Sequence, residues 1–345
     1  MKVSLSFEVH QPFRINRNYR AEYSKGRKNL FDIYFSNSWN KEVFKKVAEK
    51  CYFPATQIII DRIDELREFK VSYSFSGVLI EQCQIWGPDL LELFKELASK
   101  KNVELLCQTY YHSLAGLFRK KDEFIEQINM HRNLMKDISK KNPSVFENTE
   151  FLYNNSIAKV AEDLEFKAIF TEGAEKILGW RSPNFVYKAI YSDIKVLLRN
   201  YRLSDDIAFR FSNRDWNEYP LTADKFATWL AYTPGDCINL FMDYETFGEH
   251  HWKETGILEF LKWLPGEILE RNIEFALPSE LAEKEAVGEI DVNDFETLSW
   301  ADAERDTGAW LGNDMQRTCF RGLEKLENIV KKLRNSILSC GGISK

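Results

Sequence analysis

The sequence predicts an α/β barrel of parallel strands with helices between them. Strand-like and helix-like segments alternate along most of the chain, an order typical of parallel strands joined by crossover helices. The strand-like segments have one apolar and one polar face, whereas strands of an open doubly wound sheet are apolar on both faces. We therefore expect a closed barrel whose polar faces line an interior site. An antiparallel sheet with one face in water is the alternative, and the helix-length segments between the strands count against it.

The first predicted strand covers residues 3–10 and shows the pattern clearly. Its apolar and polar residues alternate with the period of two that is typical of a strand. One face carries Val3, Leu5, Phe7 and Val9, and the other carries Ser4, Ser6, Glu8 and His10. The strand leads into His-Gln-Pro at 10–12. His10 is therefore predicted at the carboxyl end of a strand, where barrel enzymes build their active sites.

The second and third predicted strands repeat this alternation. In residues 70–77 the apolar face is formed by Val71, Tyr73 and Phe75, and serines form the other face. In residues 103–112 one face carries Glu104 and, at the carboxyl end, His112. Both strands therefore contribute polar side chains to the predicted interior.

Two acids lie in later strands, where a carboxylate needs a partner. Glu150 lies in the middle of the strand predicted at 145–153. Asp243 shares a face with Glu245 near the end of the strand predicted at 238–247. Burying a carboxylate costs several kcal/mol unless it is paired or hydrogen-bonded. Each acid alone is equally well explained as a surface residue or as part of a structural ion pair.

Helical patterns fill the segments between the strands and dominate the end of the chain. They cover residues 42–66, 89–100, 124–139, 157–165 and 256–272. After Ser279 strands become scarce, and residues 306–338 have apolar residues at helical spacing. We predict a barrel domain at 1–280 and a C-terminal helical region at 281–345.

Composition excludes several classes of function. The 345 residues carry a net charge of −6, which disfavours a general nucleic-acid binder. The six cysteines lack metal-ligand or redox-motif spacing, so we expect free thiols in a reducing compartment. No signal peptide precedes the first strand, and no apolar run is long enough to cross a membrane. These observations predict a cytoplasmic protein that binds neither membranes nor nucleic acids.

Histidines and acids at strand ends favour two kinds of chemistry. Of the five histidines, His10, His112, His250 and His251 lie at the ends of three predicted strands. Paired carboxylates in a polar cleft suit glycoside hydrolysis, in which one attacks the anomeric carbon and the other protonates the leaving oxygen. Histidines and acids are also good metal ligands. Spacing alone does not separate a glycosidase from a metal site.

Five segments resemble, in order, the conserved regions of glycoside hydrolase family 57, in its α-amylase branch. They are HQP at 10–12, VELLCQTYYHSL at 103–114, ENTEFLY at 147–153, FMDYETFGEHH at 241–251 and SWADAERDTGAWLGNDMQ at 299–316. The resemblance implies a distorted parallel (β/α)7 barrel followed by a small helical region that completes the cleft. It also implies retaining activity on α-glucans, with no cofactor and no obligatory metal.

The resemblance also implies roles for particular residues. Glu150 matches the nucleophile position of the third region, and Asp243 matches the general acid/base position of the fourth. His10 and Glu104 match positions that bind sugar at the central subsite. Further residues expected to line the cleft are Tyr111, His112, Trp180, His250, Trp300 and Trp310.

The predicted function is hydrolysis of internal α-1,4 bonds in starch- or glycogen-type glucans or malto-oligosaccharides. A 4-α-glucanotransferase or a branching enzyme of the same family is the alternative within this class. Two alternatives come from other classes. One is a barrel that binds glucan without cleaving it. The other is a metal-dependent polysaccharide deacetylase with His10, Asp243, His250 and His251 as ligands.

Overall fold

The strands form one mostly parallel sheet in the computed structural model, which describes residues 1–20, 22, 25–26 and 30–339. The strands are β1 (Lys2–Val9), β2 (Val71–Phe75), β3 (Val103–Leu105), β4 (Val145–Glu147), β5 (Ala168–Glu172), β6 (Val186–Ala189), β7 (Lys195–Arg199), β8 (Cys237–Asp243), β9 (Glu274–Phe275) and β10 (Glu289–Ile290). β6 runs antiparallel to β7, and the other pairs are parallel. This arrangement is the parallel sheet that the alternating elements predicted.

Seven of the described strands close into a ring in the order β1, β2, β3, β4, β5, β7, β8 and back to β1. β1 pairs with β8 along nearly its whole length. The ring is weakest at two joins: a bridge between Cys107 and Phe146 connects β3 to β4, and Arg199 pairs with Asn239 between β7 and β8. The sheet is therefore a distorted parallel barrel, and the predicted fold class is confirmed.

Helices surround the ring and follow its strands. They are α1 (Phe31–Tyr34), α2 (Asn37–Val47), α3 (Phe53–Glu65), α4 (Gly77–Trp86), α5 (Pro88–Ser99), α6 (Asp122–Ser139), α7 (Asn155–Asp163), α8 (Glu175–Leu178), α9 (Tyr201–Asp205), α10 (Ala223–Tyr232), α11 (Ile257–Glu270), α12 (Pro278–Leu281), α13 (Gly308–Leu311) and α14 (Asp314–Ser339). Local sequence explains where two of these helices begin. The Ser76 hydroxyl accepts a hydrogen bond from the Leu79 amide and caps α4, while Pro88 begins α5, where its missing N–H is not needed.

The polar strand faces point into the barrel, as predicted. Ser4, Ser6, Ser72 and Ser74 are fully buried, and the Ser6 and Ser72 hydroxyls are 2.6 Å apart. Buried hydroxyls need hydrogen-bond partners, and neighbouring strands supply them here. The barrel interior is therefore a hydrogen-bonded polar core that continues towards the carboxyl ends of the strands.

The apolar strand faces pack outwards against the helices. Leu5 and Phe7 of β1 belong to one buried cluster with Ile59 of α3, Phe94 of α5 and Leu261 of α11. Burying such side chains stabilises the fold by about 1.5–3 kcal/mol each. This shell holds the strand ends in place beneath the loops that carry functional residues.

The structure corrects two strand predictions that matter for the site. The strand predicted at 145–153 ends at Glu147, so the expectation of Glu150 inside a strand is wrong. The chain instead turns, because the Phe151 amide donates to the Asn148 carbonyl at 2.8 Å. The third strand is also shorter than predicted and ends at Leu105, which places His112 in a turn.

The sheet continues slightly past the predicted domain boundary. β10 pairs with β6 at residues 289–290, and α13 and α14 follow. The helical pattern at 306–338 is confirmed by these two helices, while the division at 280 stays a prediction. In the described part of the chain, helices with the length and apolar character needed to cross a bilayer are absent.

Candidate active site

A cavity of about 180 Å³ lies at the carboxyl ends of β7 and β8, beside the turn that follows β4. Glu150 and Asp243, the two acids singled out in the sequence, both line it. Other lining residues include Phe209, His250, Trp300 and Arg305. Two carboxyl groups from distant segments therefore meet in one small space.

The backbone of Glu150 has an unusual conformation. Its φ and ψ of 56° and 24° lie in the left-handed region, and Phe151 also has a positive φ of 53°. Residues other than glycine, asparagine and aspartate rarely adopt this backbone conformation. Residues strained in this way cluster at functional sites. This turn, and not strand alternation, directs the Glu150 carboxyl into the cavity.

Two hydrogen bonds hold the Glu150 carboxyl. His112 Nε2 donates to Glu150 Oε1 at 3.3 Å, and Trp300 Nε1 donates to Glu150 Oε2 at 2.9 Å. Burial opposes ionisation of Glu150, but the hydrogen bonds and the charge of His112 outweigh it and lower the pKa of this carboxyl. Glu150 is therefore suited to remain an anion at neutral pH.

His112 and His10 form a stacked pair with unequal charge. Their ring centroids are 4.1 Å apart. Burial opposes protonation of His112, but the carboxylates of Glu8 and Glu150 raise its pKa. Burial and the neighbouring His112 lower the pKa of His10 well below its usual value, and its Nδ1 lies 2.8 Å from the Ser76 hydroxyl. The pair thus combines an imidazole whose surroundings favour the protonated form with one whose surroundings favour the neutral form.

Asp243 has the opposite electrostatic setting to Glu150. Burial raises the pKa of Asp243 and the nearby charge of Glu150 raises it further, while His250 acts in the other direction. Asp243 lies at the last position of β8. One acid of the pair therefore favours the ionised form and the other favours the protonated form, the asymmetry that acid–base chemistry requires.

A buried network of ion pairs at the edge of the cavity was not predicted from the sequence. Arg199, at the end of β7, donates to Glu172 at 3.0 Å and to Asp205 at 2.6 Å. Arg305 adds a bond to Asp205 at 3.2 Å, and the Arg199 guanidinium lies 5.4 Å from the Trp300 ring centroid. The signal available was an arginine that follows three apolar residues at the end of a strand, since buried charges are normally paired.

Glu104 does not lie in this cavity. Its carboxyl accepts from the Ser279 amide at 3.0 Å and borders a separate space with Lys101 and residues 142–144. Those residues precede β3 and β4, so Glu104 lies at the amino end of the barrel, opposite Glu150. The alternation of residues correctly predicts a face of a strand, but a side chain on that face can lie at either end of the barrel.

Three predicted aromatic residues also lie away from the two acids. Trp180 is 95 % exposed, and Tyr111 borders a larger apolar groove between α6 and α14. Trp310 of α13 packs against a hydrophobic cluster that includes Phe118 and Leu298. The structure thus brings together Glu150, Asp243, His10, His112, His250 and Trp300.

The residues of the metal-site alternative do not form a set of metal ligands. Across the described residues, no three histidine, cysteine, aspartate or glutamate side chains form a group that could hold a metal ion. His251, one of the suggested ligands, instead hydrogen-bonds with the Ser212 hydroxyl and the Ala208 carbonyl at 2.7 and 3.0 Å. The deacetylase interpretation therefore lacks its set of ligands.

Comparison with known proteins identifies the family of this chain. The sequence profile described as "Glycosyl hydrolase family 57" matches residues 4–293. The chain belongs to this family. It is also 54% identical over 339 residues to a Methanocaldococcus jannaschii protein named "Putative alpha-amylase", covering 98% of this chain and 71% of that protein. The family resemblance and the expectation of a glycoside hydrolase are confirmed.

Solved structures of family 57 enzymes share the fold. A branching enzyme from Pyrococcus horikoshii superposes with a TM-score of 0.67 at 13% identity, covering 92% of this chain and 76% of that one. A 4-alpha-glucanotransferase from Thermococcus litoralis superposes with a TM-score of 0.65 at 18% identity, covering 87% of this chain and 42% of that one. At these identities the likeness shows the barrel fold and nothing finer.

Proposed function

We propose that this family 57 chain is a retaining, α-amylase-type glycosidase that cleaves internal α-1,4 bonds of starch- or glycogen-type glucans. Glu150 is the nucleophile and Asp243 the general acid/base. The main support is that both carboxyls line one cavity and have pKa values shifted in opposite directions. The amylase name of the Methanocaldococcus jannaschii relative supports the glucan substrate.

In the first step, Glu150 attacks the anomeric carbon while Asp243 gives its proton to the glycosidic oxygen. The bond to the leaving sugar breaks, and a covalent glycosyl–Glu150 ester forms. The hydrogen bonds from His112 and Trp300 hold the attacking carboxylate in place. Asp243 becomes an anion in this step.

In the second step, Asp243 removes a proton from water, and the water oxygen attacks the same carbon. The ester bond to Glu150 breaks, Glu150 regains its charge and Asp243 regains its proton. Two displacements at one carbon retain the configuration. The Trp300 ring and the Phe209 ring, which is 70 % exposed, give the cavity apolar surfaces suited to sugar faces.

The nucleophile is tested with Glu150→Ala. This variant is expected to lose nearly all turnover of starch-like substrates, because no covalent intermediate forms. Azide added with an activated glycoside is expected to restore turnover and to give a glycosyl azide of inverted configuration. Wild-type turnover without azide, or rescue with retained configuration, would contradict the assignment.

Transfer to a sugar acceptor is the second candidate. A named 4-alpha-glucanotransferase from Thermococcus litoralis is 29% identical over 99 residues, so relatives of this chain include a transferase. Water and a sugar hydroxyl compete for the same intermediate. Products from maltoheptaose distinguish the two activities, because hydrolysis gives shorter chains alone and transfer also gives longer ones. Binding without any change in chain length would instead indicate a non-catalytic glucan-binding barrel.

A further inference from the structure

Two glutamates with no role in the proposed reaction are buried inside the barrel beneath the cavity. Glu8 of β1 is 2 % exposed and Glu147 of β4 is 0 % exposed. The Ser74 hydroxyl links their surroundings, because it donates to Glu147 Oε2 at 3.0 Å and accepts from the Gln108 amide at 2.8 Å. A carboxylate can only accept hydrogen bonds, so each acid depends on donors from its neighbours. Those neighbours decide which of the two acids suits a negative charge.

Of the two acids, Glu8 has the neighbours that suit a negative charge. Glu8 Oε1 accepts from the Gln108 amide at 2.9 Å and lies 3.5 Å from His112 Nδ1. Glu147 Oε2 instead accepts from the neutral hydroxyl of Ser74 at 3.0 Å. Glu8 Oε2 and Glu147 Oε1 have no hydrogen-bond partner among the described residues. Burial raises the pKa of both acids; the charge of Glu147 raises the pKa of Glu8 further, whereas the charge of His112 lowers it.

Gln108 links this pair to the histidine that holds Glu150. Its amide nitrogen donates to Glu8, so its oxygen is free to face His112 Nδ1, at 3.0 Å. An amide oxygen only accepts, hence His112 Nδ1 carries a proton. Since His112 Nε2 donates to Glu150, the ring carries both protons and is a cation. The ionisable groups that face His112 are Glu8 and His10 from β1 and its end, Glu150 after β4, and Asp243 of β8.

We propose that Glu8 is a positioning residue whose carboxylate, acting through Gln108, keeps His112 charged and directs its Nε2 proton to Glu150. The part that concerns catalysis rests on the proposed nucleophile role of Glu150. Replacing Glu8 by glutamine removes the charge and allows the Gln108 amide to turn, so that an N–H faces His112 Nδ1. His112 Nδ1 can then accept a hydrogen bond, so the imidazole no longer needs a proton on both nitrogens. Replacing Glu147 by glutamine changes the other buried acid and leaves the contacts of Glu8 with Gln108 and His112 in place.

The test measures the charge state of His112 directly and does not depend on activity. In protein labelled with ¹⁵N-histidine, the His112 signals are assigned by their loss in His112→Gln. In the wild type we expect both ring nitrogens to be protonated at pH 7. In Glu8→Gln we expect the pKa of His112 to fall by at least about one unit, the usual effect of losing a close opposite charge. Glu147→Gln, the matched control, is expected to change it by less than about 0.3 units.

The same variants are then compared by pH–rate profiles of kcat/KM on maltoheptaose. A neutral His112 no longer stabilises the Glu150 anion, so the acid limb of Glu8→Gln is expected to move to higher pH, with kcat reduced more than KM changes. The Glu147→Gln profile is expected to match the wild type. A neutral His112 in the wild type at pH 7, an unchanged titration in folded Glu8→Gln, or a larger effect from Glu147→Gln would overturn the proposal. Absence of glucan activity would overturn the proposed function while leaving the histidine titration informative.

Discussion

Replacing Trp300 by phenylalanine removes one of the two hydrogen bonds that Glu150 accepts and keeps most of the aromatic packing. The lost bond joins Trp300 Nε1 to Glu150 Oε2 at 2.9 Å. The Trp300 ring stacks on Phe151 at 4.5 Å and meets Phe241 edge-on at 5.8 Å, contacts that a phenylalanine ring largely keeps. The substitution therefore separates the donor from the packing.

The size of the effect follows from the charge on the acceptor. A hydrogen bond to a charged group contributes about 1.5–3 kcal/mol. Trp300 is partly exposed, so we take the lower end, about 1.5 kcal/mol. Each pKa unit corresponds to about 1.4 kcal/mol, so the pKa of Glu150 is expected to rise by about one unit. Glu150 reacts as the anion, hence the acid limb of kcat/KM moves to higher pH by the same amount.

The assay is the pH profile of kcat/KM on maltoheptaose for wild type and Trp300→Phe, with thermal unfolding as the folding control. The basic limb is expected to stay in place, because Asp243 keeps its surroundings. A uniform loss at every pH, with an unmoved acid limb, would refute the view that Trp300 stabilises the charge of Glu150. That result would assign the residue to substrate packing alone.

Three further substitutions test other parts of the site and fold. Asp243→Asn is expected to slow natural glucans far more than an activated aryl glycoside, because a good leaving group needs little protonation; equal losses would count against an acid role. Arg199→Met leaves the buried acids Glu172 and Asp205 with Arg305 as their remaining partner and is expected to cost about 3 kcal/mol in denaturant unfolding, the lower end for a broken buried pair, whereas Arg202→Met at an exposed pair should change little. Gly248→Ala is expected to destabilise the His250 loop strongly, because φ is 134° and a Cβ would lie 2.0 Å from the Lys50 carbonyl oxygen.

The general architecture was accessible from the sequence because it depends on repeated local patterns. The serines of β1 and β2 alternate with apolar residues, and a barrel buries both sets. His10 and Asp243 could be placed at strand ends by the same reasoning, since parallel strands present their carboxyl ends on one side of a barrel. The family motifs then supplied roles that alternation alone left open between a glycosidase and a metal site.

The errors concern features that local patterns do not encode. Glu150 lies in a left-handed turn without the glycine that usually signals one, so its segment resembled a strand. Glu104 lies at the opposite end of the barrel from the acids. Alternation predicts which face of a strand a residue is on, but not how far along the barrel axis it lies. The Arg199 network joins residues from β5, α9 and the loop before α13, and such long-range pairing needs three-dimensional structure.

The segment at 299–300 explains how the strained turn and the ionised carboxylate coexist at Glu150. The left-handed conformations of Glu150 and Phe151 each cost on the order of 1–3 kcal/mol. The Ser299 hydroxyl and the Trp300 amide both donate to the Glu150 carbonyl, at 3.0 and 3.1 Å, and the Trp300 ring covers Phe151. The same tryptophan donates its indole N–H to the Glu150 carboxyl. One segment from beyond the barrel therefore stabilises both the backbone and the charge of the proposed nucleophile, so the site is incomplete without the chain that follows the last strand.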